Sequence, residues 1–205
     1  MDDRTKISAA ALAPETQLSL GFRLLGLLPL LFFTAQAIHY WRIGQLGHML
    51  WMCNMGNLLL AFGLFFEQVT LIRAAVLWMI PGLLVWLLYV VLAWGVFFSS
   101  TLAHVGGIAV SLVAVRKIGM TRSGWLYGLA WFFVMQLLSR FLTPVEFNVN
   151  VSRRIQEGWQ QTFSSYWKFW LVLALLAAAI MWVLGMVLWW IWPPPSRDNI
   201  AVADR

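Results

Sequence analysis

The sequence predicts an all-α protein, a polytopic membrane helix bundle with six transmembrane helices. Hydrophobic residues make up 61% of the 205-residue chain and charged residues only 11%, an apolar share that a soluble domain of this size does not need. The apolar residues fall into six runs of near-bilayer length, separated by polar connections. These runs place a polar tail at residues 1–17, the six-helix domain at 18–192 and a second tail at 193–205.

Each apolar run predicts one helix. The six helices lie, in chain order, at residues 18–40, 45–66, 71–98, 101–115, 124–142 and 167–192. The third is long enough to tilt or bend, and Pro81-Gly82 is where we expect it to kink. The fourth is short for a span, which usually takes about 17–25 residues, although its body is apolar.

The first apolar run has one competing interpretation, a cleaved secretory signal. Arg23 precedes the run, and Ala35-Gln36-Ala37 resembles the small-residue cleavage site of such signals. The long polar lead at residues 1–22 argues against a signal, so we expect the first helix to be retained.

Basic residues predict the orientation, because cytoplasmic loops carry an excess of Lys and Arg. With the N-terminus inside, the inner side holds Arg4, Lys6, Arg23, Arg73, Arg116, Lys117, Arg122, Arg197 and Arg205. The outer side then holds Arg42, Arg140, Arg153, Arg154 and Lys168. The excess of basic residues on the inner side predicts a multi-pass protein with both termini inside (N-in, C-in). We expect the protein in the bacterial inner membrane.

The outer connection at residues 143–166 is the longest and is too polar to cross the bilayer. Apolar residues recur there at every fourth position, at Val151, Ile155, Trp159 and Phe163, which is typical of a short helix lying in the membrane interface. The alternative, which we favour, is an ordinary connector whose aromatic residues anchor at the headgroups.

Polar side chains gather toward the outer ends of the predicted helices, which indicates an inward-facing polar pocket in the outer leaflet. The residues concerned are Cys53, Asn54, Asn57 and His104, with His39, His48, Asn148 and Asn150 nearby. Helical geometry places Cys53, Asn54 and Asn57 on one face. Each also has a purely structural interpretation, since a membrane cysteine can simply fill space and asparagines often join helices.

Together these residue types suggest acyl chemistry. A cysteine activated by a histidine is a nucleophile, so Cys53 and His104 are the candidate catalytic residues. The amides of Asn54, Asn57, Asn148 and Asn150 are candidates for substrate binding or for donation to an oxyanion. The single cysteine excludes an internal disulfide, and we expect no metal and no other cofactor, because the chain has no Cys-x-x-Cys pair or zinc-binding histidine motif.

The order of these motifs resembles YwaF-like bacterial integral membrane proteins, which are related to transmembrane acyltransferases and to androgen-induced membrane hydrolases. The likeness rests on a cysteine within a histidine-containing second helix, a histidine that opens a later helix, and "FNVN" at residues 147–150. It implies that Cys53 is the nucleophile, His104 the base and Asn148 and Asn150 part of the polar segment. Trp51 stands where those proteins have a histidine.

Two other classes of function compete with lipid-directed acyl transfer or hydrolysis. A non-catalytic subunit or assembly factor of a membrane complex would explain the 14 tryptophans and short loops, with "LAAAI" at 176–180 as a partner-binding face. Haem or quinone binding would use His39, His48 and His104. The expected partners are membrane lipids or membrane subunits, and not nucleic acid, because no basic block is present.

Overall fold

The computed structural model describes residues 19–93 and 97–195, and these residues form six helices without a strand. The helices are α1 (Leu20–Arg42), α2 (Met52–Phe65), α3 (Val69–Ala93), α4 (Phe98–Ile118), α5 (Trp125–Leu142) and α6 (Tyr166–Ile191). The prediction of a polytopic all-α bundle is confirmed. The predicted N-terminal tail, and the C-terminal tail beyond residue 195, lie outside the described residues.

Five of these helices, all except α2, are long and apolar enough to cross a membrane. Backbone groups in hydrocarbon must find their partners within the helix, so such segments span as helices. Helix α2 has only 14 residues, about 21 Å at 1.5 Å per residue, against a hydrocarbon thickness of roughly 30 Å. The chain is therefore a multi-pass membrane protein in which α2 is shorter than its neighbours.

Contacts between distant segments define two ends of the bundle. At the end that we call the loop end, the connections 43–51 and 143–165 meet, since Asn150 bonds to Leu50 and Met52. At the tail end, where α1 begins and α6 ends, Arg23 pairs with Glu67 at 3.1 Å. The Met120 N–H also donates to the Trp192 carbonyl there, at 2.8 Å. Successive helices thus alternate in direction, as the predicted topology requires.

Helix α2 begins later than predicted. The sequence predicts a helix from residue 45, but Leu46–Leu50 form a 3-10 turn and the α-helix starts only at Met52. Gly44 has a φ of 70° and Trp51 is extended, so the chain turns twice before the helix. His48 therefore lies in the turn rather than on the helix.

Helix α4 is longer than predicted. Its 21 residues include a π-helical turn at Leu102–Gly106 and continue through Arg116 and Lys117 to Ile118. The apolar pattern stops at Arg116, but cations are favourable in the last turn of a helix because of its dipole. Gly119, with a φ of 73°, then ends it.

The 143–165 connection does not contain the predicted four-residue-spaced helix. Its helical parts are two 3-10 turns, Val145–Phe147 and Val149–Val151. Asn148, Asn150 and Val151 have φ values of 43°, 53° and 57°, in the left-handed region that interrupts a right-handed helix. This finding agrees with the connector interpretation.

Helix α3 lies at the centre of the bundle and runs without interruption through Pro81. Its fully buried residues, Ile72, Ala75, Val76 and Leu77, pack toward α2, α4 and α6. Glycines let α2 approach closely, because a Cβ on Gly56 would lie 2.9 Å from the Met79 sulfur. Ala177, in the small-residue segment of α6, packs in the core of this same chain.

Candidate functional site at the loop end

The structure brings Cys53 and His104 to the same face of α3. A Cβ on Gly82 would lie only 3.1 Å from the Cys53 Cβ, so the cysteine backbone of α2 rests directly on this glycine. One turn further along α3, the Trp86 ring stacks on the His104 ring with 5.2 Å between centroids. The two candidate catalytic residues, which come from α2 and α4, thus flank one stripe of α3.

His104 is held in a defined tautomer. Its Nδ1 lies 2.8 Å from the Ser100 carbonyl oxygen, which can only accept, so Nδ1 carries the proton and Nε2 carries the lone pair. The Trp86 indole N–H donates to the Ser100 hydroxyl at 2.9 Å and ties the same turn to α3. His104 is also buried and lies within the π-helical turn, an irregularity often found at functional sites.

Asn57 joins the cysteine and histidine segments. Its side-chain N–H groups donate to the Cys53 carbonyl at 3.1 Å and to the Ala103 carbonyl at 3.0 Å. Asn57 is 0% exposed, and its Oδ1 has no hydrogen-bond partner among the described residues. Both donors are occupied, so Asn57 positions α2 against α4 and offers no N–H to an oxyanion.

Asn54 lies on the same helix and is also buried, as predicted for an inward face. Its amide nitrogen donates to the His48 carbonyl at 3.0 Å, which uses one of its two N–H groups. Its Oδ1 is buried and unpartnered within the described structure. Asn54 therefore has one further N–H group, whereas both N–H groups of Asn57 are bonded.

Two residues of α1 belong to this region and were not predicted from the sequence. Gln36 is 1% exposed, and Tyr40 follows it by about one helical turn, with its ring centroid 5.4 Å from that of His48. The sequence does contain a signal for Gln36, because this residue is an amide within an apolar run. The same criterion identified Asn57.

The side chains of Asn148 and Asn150 hold the loop-end connections in place through hydrogen bonds to other groups of the chain. Asn150 accepts from the Met52 N–H at 3.1 Å, and its amide donates to the Leu50 carbonyl and the Ser139 hydroxyl, each at 2.7 Å. Asn148 accepts from the N–H groups of Arg153 and Arg154 and donates to the Arg154 carbonyl. Both N–H groups of Asn150 are therefore used by acceptors of the protein itself.

The three histidines have different surroundings. His39 packs against Phe97 with 4.4 Å between ring centroids, whereas His48 packs against Phe147 at 4.5 Å. Burial lowers the pKa of His48 below its ordinary value, and its Nδ1 accepts from the Trp51 indole N–H at 3.1 Å. The ring contacts of His39 and His48 are thus made with aromatic side chains of neighbouring segments.

Two surface cavities lie away from Cys53 and His104. One, of about 390 Å³, is at the loop end beside Trp51 and Arg154, and the other, of about 360 Å³, is at the tail end beside Arg122 and Trp182. Within residues 19–93 and 97–195, no group of three or more His, Cys, Asp or Glu side chains could hold a metal ion.

Comparison of the chain with protein-family models, curated proteins and solved structures gave no match. A function for this chain must therefore be inferred from the chemistry and geometry of the side chains described above.

Proposed function

We propose that the chain is a bacterial inner-membrane protein that transfers or hydrolyses lipid acyl groups, with Cys53 as the nucleophile and His104 as the base. The observation that carries this proposal is the shared face of α3, where Cys53 abuts Gly82 and His104 stacks on Trp86. A nucleophile and a base supplied by two helices are held against the same third helix. The resemblance to YwaF-like proteins implies the same two residues.

The proposed reaction follows from the tautomer of His104. Nε2 takes the proton of the Cys53 thiol, and the thiolate attacks the carbonyl carbon of a lipid ester. Collapse of the tetrahedral intermediate breaks the ester C–O bond, and the leaving alkoxide receives the proton from His104. The acyl group remains on Cys53 as a thioester. Water or an acceptor hydroxyl then attacks it, losing its proton to His104, which returns that proton to the departing sulfur.

The oxyanion of the intermediate needs a hydrogen-bond donor, and we assign this role to Asn54, the neighbour of Cys53 on α2. Its amide has a second N–H beside the one bonded to the His48 carbonyl, whereas the amides of Asn57 and Asn150 are occupied. In the described structure Cys53 and His104 are not hydrogen-bonded to each other. Contacts of this kind are often long without substrate and tighten when it binds.

Covalent capture tests the proposal. The purified chain is treated with a long-chain acyl chloromethyl ketone, and the modified residue is found by mass spectrometry. We expect an adduct on Cys53 that forms at least about a hundredfold more slowly in His104→Gln, the usual minimum effect of losing a general base. His39→Gln is the matched control, because His39 packs on Phe97 and should leave the rate unchanged.

Two results would overturn the mechanism. Equal labelling rates for His104→Gln and the unsubstituted chain would exclude His104 as the base. Turnover of an ester lipid in vesicles that survives Cys53→Ala would exclude the thiol.

A second candidate function is membership of a membrane complex, and the loop-end half of α3 favours it. Large apolar side chains are exposed around that half of the helix, namely Leu84, Val85, Leu87, Leu88, Val91 and Leu92. A partner helix would cover them. A protein that co-purifies at fixed stoichiometry, and is lost in Leu88→Gln but not in Leu175→Gln on exposed α6, would support this function.

The orientation also belongs to the proposal. The count of basic residues supports a loop end that faces outward, with both termini inside. A membrane-impermeant amine reagent applied to intact cells should then modify Lys168 and spare Lys117.

A further inference from the structure

The loop-end cavity combines an exposed cation with an exposed anion. It has a volume of about 390 Å³, and its lining includes Trp51, Phe147, Arg154, Gln156, Glu157 and Gln160. Neither Arg154 nor Glu157 forms a salt bridge with a described residue, although both line the same space. Cys53 and His104 do not contribute to it, so this cavity is separate from the acyl-transfer site proposed above.

Arg154 is positioned by its neighbours. Asn148 accepts from the Arg154 N–H at 3.0 Å and donates to the Arg154 carbonyl at 3.1 Å, which fixes the backbone. One guanidinium nitrogen, Nη2, donates to the Glu146 carbonyl at 3.0 Å and directs the side chain. A guanidinium has five N–H donors in a planar fork, so donors remain for a phosphate.

The rest of the lining suits a small cation that donates hydrogen bonds. Glu157 supplies a carboxylate, and Gln156 and Gln160 supply amide oxygens. Trp51 adds an aromatic ring to the lining, and its N–H bond to His48 Nδ1 at 3.1 Å holds the indole in place. A primary ammonium can use all of these groups, whereas a quaternary ammonium can use only the charge and the ring.

The position of the cavity indicates a lipid rather than a soluble ligand. It lies at the end of a membrane bundle, and Trp41, Trp159 and Trp167 are more than half exposed at the same end. Exposed tryptophans are enriched at the membrane–water interface, where phospholipid headgroups lie. A volume of this size falls within the range of about 300–1,000 Å³ that is usual for ligand sites.

We propose that this cavity binds the headgroup of a zwitterionic phospholipid with a primary ammonium, such as phosphatidylethanolamine. Arg154 binds the phosphate, and Glu157 binds the ammonium with help from Gln156, Gln160 and the Trp51 ring. Phe147 forms the apolar wall on the bundle side. The inference does not depend on catalysis by Cys53, because it concerns binding at a different group of residues.

Binding of short-chain lipids to the delipidated full chain tests the proposal. Dihexanoyl phosphatidylethanolamine, phosphatidylcholine and phosphatidylglycerol are compared by native mass spectrometry, with free phosphoethanolamine as a fourth ligand. We expect phosphatidylethanolamine to bind most tightly. Arg154→Gln should weaken it by about tenfold or more, the loss expected for a charge-assisted hydrogen bond. Arg42→Gln is the matched control, since Arg42 is exposed at the same end but does not line the cavity.

Glu157→Gln separates the two halves of the headgroup. It should abolish the preference for phosphatidylethanolamine over phosphatidylglycerol and leave phosphatidylglycerol binding no weaker than before. Equal losses in Arg154→Gln and Arg42→Gln would overturn the proposal. Phosphatidylcholine that binds as tightly as phosphatidylethanolamine would overturn the ammonium assignment, and free phosphoethanolamine that binds as tightly as the lipid would overturn the lipid assignment. Both side chains are exposed, and a thermal melt of each variant checks that it folds as the control does.

Discussion

Asn150 caps the first residue of helix α2, Met52, from 98 residues away: its Oδ1 accepts from the Met52 N–H at 3.1 Å. The first N–H groups of a helix have no partner within it, and a nearby side chain usually caps them. Here the side chain comes from the connection between α5 and α6. The same amide also binds Leu50 and Ser139, so one buried residue joins α2, α5 and both loop-end connections.

Asn150→Ala should therefore destabilise the whole loop end. The change removes a helix cap, which typically costs about 0.5–2 kcal/mol, and leaves buried partners unsatisfied, which costs about 1–3 kcal/mol. We expect a loss of about 2–4 kcal/mol in detergent unfolding experiments on the full chain. The control is Gln161→Ala, on the same connection but exposed, which should change the unfolding free energy by no more than about 0.5 kcal/mol. Similar losses for both variants would contradict the capping role.

Gly107→Ala should separate α4 from α2 and α3. A Cβ there would overlap Met79 Cε and Asn57 Oδ1, so atoms must move at a cost of about 1–3 kcal/mol. Gly21→Ala is the matched control, because nothing lies within 4 Å of its Cβ position. That variant should gain up to about 1 kcal/mol, since alanine favours the helix over glycine. The two melting temperatures should shift in opposite directions.

Asn57→Ala should partly rescue Gly107→Ala. On its own it removes interhelical hydrogen bonds, which contribute on average about 0.6 kcal/mol in membranes. In the double variant the new methyl group no longer meets the amide oxygen, so the combined loss should be smaller than the sum of the single losses. A double-mutant cycle of unfolding free energies measures the difference, and strict additivity would show that the two residues do not interact.

Val151→Gly should be neutral or stabilising, unlike the same change at Val149. Val151 has a φ of 57°, a conformation that costs a β-branched residue about 1–2 kcal/mol and costs glycine almost nothing. Val149 is 0% exposed and lacks a positive φ, so its loss should cost about 2 kcal/mol or more. In thermal melts, the melting temperature of Val151→Gly should be equal to or above that of the unsubstituted chain. The melting temperature of Val149→Gly should be below it. A larger loss at Val151 would show that its packing outweighs the strain.

His48, in the loop-end connection, should make the free energy of unfolding depend on pH. Burial lowers the pKa of His48, so the folded chain binds its proton less readily than the unfolded chain. His48 therefore contributes no pH dependence above about 6.5, its ordinary pKa, and destabilises the fold as pH decreases below that value. Protonation at Nδ1 also removes the acceptor for the Trp51 N–H.

The comparison of the unsubstituted chain with His48→Gln isolates this effect, because the other two histidines are the same in both proteins. Unfolding free energies at pH 7.5 and pH 5.5 give the two slopes. The unsubstituted chain should lose more stability between these pH values. Parallel slopes would exclude His48 as the source.

Part of the candidate site was predictable because polar side chains are costly in hydrocarbon. That criterion identified Asn57 and His104, and Gln36 meets it equally well. It does not reveal whether an amide binds a substrate or a backbone group, since Asn54 and Asn57 have the same chemistry and differ only in their neighbours. Asn150 looked like a candidate ligand in the sequence and is a helix cap in the structure.

The sequence by itself determined the number and order of the helices. Hydrocarbon accepts only segments whose backbone is internally bonded, so an apolar run of sufficient length must be a helix, as the agreement of 124–142 with Trp125–Leu142 shows. Tertiary structure decided the start of α2, the π-helical turn that contains His104, and the placement of Cys53 and His104 against the same side of α3. These features depend on hydrogen bonds and close approaches between residues far apart in the chain, and such contacts leave no periodic pattern in the sequence.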